Sequence, residues 1–117
     1  IEHEQFGLIR VRDRFQFVLN EYDRVQSFIS LTGNPDLNVI ARLFDESWGD
    51  TRDLLGTHTP EMERVAAELR EKTGVLGVKV LGAGFGGNLL VCTKQDVDLG
   101  PDAVEHRTAK GFNVRSL

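Results

Sequence analysis

The chain of 117 residues is most easily bounded by what it lacks. It has one cysteine, Cys92, so no internal disulfide can staple it, and such usage is compatible with a reducing compartment. No apolar run approaches the roughly 18 residues a membrane span needs, and no signal-peptide pattern leads the chain. Positive charge is not in excess: 14 Lys plus Arg stand against 18 Asp plus Glu, a net charge of −4. Electrostatics therefore give no ground for a nucleic-acid or anionic-membrane partner, and a cytoplasmic protein is expected. His3, His58 and His106 are widely separated and form no H-x-x-x-H pair. With no second cysteine to join them, no metal site is expected. Methionine is as scarce: Met62 is the only one and the chain opens at Ile1, so a fragment of a longer protein is expected.

What is present suits one ordinary domain over residues 1–117, 40% hydrophobic and 27% charged. Leu8, Val11, Phe15, Val18, Tyr22, Val25 and Phe28 step by three and four, which keeps one face of a long helix apolar. Arg10, Arg12, Asp13, Arg14, Asp23 and Arg24 then read as its solvated face, and Gly33-Asn34-Pro35 as its end. A second helix is expected from Asp36 to Gly56, on Leu37, Ile40, Leu43, Phe44, Ser47, Thr51, Leu54 and Leu55. Thr59-Pro60-Glu61 starts a third, with a capping hydroxyl, a proline preset for the first turn and acids at the positive end of the dipole. Beyond Gly74 the period shortens, and Val75–Leu81 and Leu89–Thr93 read as strands. A weaker helix over Pro101–Lys110 and a last strand over Phe112–Leu117 complete an α+β pattern, three N-terminal helices on a small antiparallel sheet.

Six of the 12 glycines fall between Gly74 and Gly87. Gly82-Ala83-Gly84-Phe85-Gly86-Gly87 satisfies G-x-G-x-x-G, but a strand-like run follows it where dinucleotide binding needs a helix. The ribose-binding acid expected about 20 residues on is replaced by Arg107. A P-loop fails because Asn88-Leu89 follows Gly87 instead of Lys and Ser or Thr, and the protein-kinase signatures H-R-D and D-F-G are absent. What remains is a loop free to adopt positive φ, whose successive amides can converge on an anion. A tight hairpin turn relieved by glycine is the plainer alternative.

In that setting, Gly74-Val75-Leu76-Gly77 leading into Gly82–Gly87 resembles the third conserved motif of the GHMP small-molecule kinases, most closely its galactokinase version. Leu43-Phe44-Asp45-Glu46-Ser47-Trp48, Thr59-Pro60-Glu61-Met62 and Glu21-Tyr22-Asp23-Arg24-Val25 are similar to further segments of that family, so the likeness covers roughly residues 15 to 93. It implies a ferredoxin-like GHMP C-terminal domain. It also implies a full-length enzyme that moves the γ-phosphoryl group of ATP, with Mg²⁺, to a sugar hydroxyl. The site residues it implies are Gly82, Ala83, Gly84, Phe85, Gly86 and Gly87, with Ser47 as a cleft-facing candidate. Asp45 stands for the family's asparagine and Trp48 for its histidine, which leaves galactose, another hexose and a uronic acid open as substrates.

The family's serine-rich phosphate loop and catalytic aspartate have no counterpart here. No catalytic residue is assigned to this chain, and by itself it is expected to be inactive, its partner being an N-terminal kinase domain. A non-catalytic sugar- or nucleotide-sensing module of the same fold is the alternative, and a free-standing interaction domain is a third. Asp45, Glu46, Asp50 and Asp53 read as a surface paired with Arg42 and Arg52. Cys92 reads as a buried hydrophobe, Trp48 as core, and Ser47 also as a backbone-bonded hydroxyl.

Overall fold

A computed structural model describes residues 2–3, 7–94 and 97–105. The order is β1 (Glu2–His3), β2 (Gly7–Leu8), α1 (Val11–Ser30), α2 (Leu37–Asp50), a π-helical turn (Thr51–Leu55), α3 (Pro60–Arg70), β3 (Val75–Val80) and β4 (Leu89–Thr93). Two antiparallel pairs, β1–β2 and β3–β4, make up the sheet structure of the described residues. The short first pair, which has no pattern in the sequence, takes Leu8 out of the helix assigned to it. Of the expected fourth helix, Pro101 and Asp102 form a turn and residues 103–105 are irregular; residues 106–110 and the expected last strand lie outside the described residues.

The helix ends follow local chemistry. Asp36 accepts hydrogen bonds from the Asn38 and Val39 amides and starts α2. Its far end tightens into the π turn, closed by the Gly56 amide donating to Thr51 O at 2.8 Å, with Gly56 left-handed at φ 70°. Thr59 caps the Met62 amide and Pro60 opens α3.

The core lies between α2, α3 and β3. Trp48, Met62, Ala66, Val78 and Val80 are buried together, with Leu69, Val75, Leu89 and Val91 packed around them. Arg70 covers the Trp48 ring at 4.6 Å and His58 meets it at 4.1 Å. Gly77 is glycine because α2 crosses β3 there: a Cβ on it would stand 2.7 Å from Phe44 Cβ. Cys92 is paired with Gly77 across the ladder, and partial burial pushes its thiol above the ordinary cysteine range.

Helix α1 reverses the expected division of its faces. It contributes no buried residue. Val11, Phe15, Val18, Tyr22, Val25 and Ile29 are each 49–65% exposed, and polar side chains hold the helix to the domain. Arg14 donates to Leu54 O at 2.7 Å, satisfying a carbonyl left over at a helix end. Asn20 donates to Asp50 at 2.8 Å, and Arg24 pairs with Asp50 at 2.8 Å and donates to Glu21 at 2.6 Å. Lys79 of β3 donates to Glu21 at 3.1 Å. Arg14 and Arg24 therefore belong to an interior polar seam, not to a solvated face, because the surface α1 meets offers carbonyls, a carboxylate and an ammonium.

Burial pushes the Glu21 carboxyl upward, but hydrogen bonds from Arg24, Ser47 and Lys79 and the Lys79 charge outweigh it and hold the group below the ordinary carboxylate range. The folded carboxyl then ionises more readily than the unfolded one. Its stabilisation is complete above the unfolded-state pKa of about 4.3 and is lost as pH falls through the lower folded-state value. Glu21→Gln is expected to cost about 1–2 kcal/mol near neutral pH and to flatten the loss of stability below about pH 4. Urea unfolding of both proteins between pH 3 and 7 checks this; parallel curves would contradict it.

Candidate functional site: the glycine loop

The six loop residues sit together at the tip of the β3–β4 hairpin. Leu81 N donates to Asn88 O at 3.0 Å and closes the base of the loop. Above it Gly82, Gly84, Phe85 and Gly86 all take positive φ, at 80°, 87°, 56° and 86°. Phe85 is the exception among them, a bulky side chain in the left-handed region, which costs on the order of 1–2 kcal/mol. The residue is 74% exposed, so packing does not repay that strain.

What holds the loop is the segment between the π turn and α3. The Phe85 amide donates to Thr57 O at 2.8 Å, the Gly86 amide to Met62 Sδ at 3.2 Å and the Gly87 amide back to Gly84 O at 3.2 Å. The approach is close: a Cβ on Gly84 would lie 2.5 Å from Thr57 Oγ1 and 2.8 Å from Thr57 O. Three amides are thereby consumed. Those of Gly82, Ala83 and Gly84 donate to no described group, so the loop can offer hydrogen bonds to an anion or a hydroxyl only from its first half. Nothing in the sequence singled out Thr57 or Met62 as anchors. Thr57 is buried, and its hydroxyl and His58 Nε2 have no hydrogen-bond partner among the described residues. His58 Nδ1 lies 2.6 Å from a Glu63 carboxylate oxygen.

Ser47 lies elsewhere. It is buried on α2, its hydroxyl bonds Glu21, and it lines a groove of about 230 Å³ between α1, α2 and the hairpin. Two neighbouring acids are surface pairs as expected, Glu46 with Arg42 at 2.9 Å and Asp53 with Arg52 at 2.8 Å. Asp45 instead lies 3.8 Å from Arg70, and Asp50 turns inward to Arg24. No three metal-ligating side chains converge among the described residues, and no described helix is long and apolar enough to cross a membrane.

The family model for the GHMP kinases C terminal matches residues 28–107. The chain is 33% identical over 85 residues to a galactokinase of Thermotoga petrophila, covering 73% of this chain and 24% of that protein. A galactokinase of Clostridium tetani is 31% identical over 91 residues, 77% of this chain and 23% of the relative. One of Streptomyces coelicolor is 28% identical over 107 residues, 92% and 27%. The chain spans about a quarter of the length of these relatives.

Gly84→Ala has to meet both the positive φ and the Thr57 contact, whereas a Cβ on Gly82 meets nothing within 4 Å. Gly84→Ala is expected to cost about 2–5 kcal/mol against about 1–2 kcal/mol for Gly82→Ala. Denaturant unfolding measures the difference, and equal costs would mean that Thr57 yields without resistance.

Proposed function

The chain belongs to the GHMP kinase family through that C-terminal domain, and from this we propose that it forms one wall of the active cleft of an ATP-dependent, galactokinase-like sugar kinase. The observation that carries the reading is the loop itself. Strain at Phe85 and a glycine-only contact at Gly84 are maintained to present three unoccupied amides at a hairpin tip. Relatives named galactokinase share this domain at 28–33% identity, which supports a sugar as the acceptor.

The loop fits an anionic or hydroxyl-bearing ligand: its free donors are neutral backbone groups, with no Cβ to hold a ligand away. MgATP, when bound, supplies the phosphoryl group to be transferred to a sugar hydroxyl. The part assigned to this chain is positional. Gly82, Ala83 and Gly84 offer amides toward phosphate or sugar oxygens, and Thr57 and Met62 fix the rest of the loop so that those amides do not reorganise. The described carboxylates form no metal set, so no residue here is given a role toward Mg²⁺. The catalytic base and the main phosphate loop are assigned to the N-terminal kinase domain that precedes this one in the reading, and a cytoplasmic location follows from the need for ATP.

The full-length protein, assayed with MgATP against a panel of hexoses and uronic acids, is expected to phosphorylate one of them, and residues 1–117 alone none. Gly84→Val in the full-length enzyme is expected to lower kcat/KM at least tenfold, about 1.4 kcal/mol of transition-state stabilisation. Unchanged kinetics would remove the loop from the cleft, and no transfer to any sugar would remove the kinase reading.

A further inference from the structure

The apolar seam of α1 is the largest feature that neither the core nor the glycine loop uses. Val11, Phe15, Val18, Tyr22, Val25 and Ile29 alternate steps of four and three residues and all stand in solvent. That is the stripe of an amphipathic helix whose apolar face is made to be covered, the same spacing by which Ile40, Phe44 and Ser47 of α2 face the strands. From Val11 to Ile29 the seam runs about 27 Å at 1.5 Å per residue, far beyond the scattered single apolar residues of an ordinary surface.

Both ends of the seam are tied to other features. At its C-terminal end Val25 and Ile29 form one wall of the groove of about 230 Å³, with Leu43, Phe44 and Leu90 opposite. At the other end Arg14 grips Leu54 O, three residues before Thr57, which holds the Phe85 amide. Whatever covers the seam is thereby fixed relative to the glycine loop. The relatives, meanwhile, are about four times as long as the stretch this chain matches.

We propose that the α1 seam is the bed of an apolar surface from the preceding part of the same kinase polypeptide, with one large apolar side chain of that surface seated in the groove beside Ile29. The proposal rests on the reading of the chain as the C-terminal domain of a longer kinase. Such a contact sets the angle between the two halves of the cleft, and does so on the element that is bolted, through Arg14 and the π turn, to the loop.

Hydroxyl-radical labelling tests it, with oxidation of the Phe15 and Tyr22 rings read by mass spectrometry in the full-length protein and in residues 1–117 at matched low concentration, beside a sugar-kinase assay. Both rings are expected to oxidise at least tenfold more slowly in the full-length monomer. Val18→Glu, at an exposed position, is expected to leave residues 1–117 folded and to return the rings of the full-length protein to fast oxidation. Equal oxidation in a full-length protein that phosphorylates sugar overturns the proposal and leaves the kinase reading standing. Protection that grows with concentration and accompanies a doubled mass assigns the seam to a second copy and overturns it too. Protection in a full-length monomer that transfers no phosphate supports the docking surface and overturns the kinase reading instead.

Discussion

The seating of α2 on β3 is the contact on which the rest depends. Phe44 lies where a Cβ on Gly77 would be, so the helix axis comes close enough for Trp48, four residues on, to reach the cluster with Met62, Ala66 and Val78. That crossing fixes how α2 lies on the strand as it runs to its end. The π turn and Gly56 follow at once, and they deliver Thr57 to the hairpin tip. A side chain at position 77 would lift α2 from the strand and with it the carbonyl that receives the Phe85 amide. Site geometry is in this sense set by packing several residues away from any functional group.

Much of this was legible because it is local. Asp36 and Thr59 announce helix starts by a hydroxyl or carboxylate that can reach free amides two or three residues on, and both do so. Val75–Val80 and Leu89–Thr93 announce a hairpin by composition and by the glycines between them. The anchors of the loop were not legible, since Thr57 O and Met62 Sδ act on amides 28 and 24 residues away and no periodicity encodes a carbonyl's direction. Nor did the pattern show that only the first half of the loop keeps free donors.

The inside-out placement of α1 has a different origin. Periodicity states which face of a helix is apolar; it does not state whether the polar face has partners. Here Asn20, Glu21 and Arg24 meet Asp50 and Lys79 in a half-buried network, and a network in which each charge has a counter-charge can dock a helix without apolar burial. Asp50, which the sequence placed among surface acids, is the residue that most changes meaning.

The lone cysteine has a use that follows from its position opposite Gly77. Partial burial pushes its thiol above the ordinary cysteine range and slows its reaction, and parting of β4 from β3 would bare it further. A gain in the reaction rate of Cys92 is then a native sign that the two strands that carry the loop have loosened, readable without introducing any foreign probe.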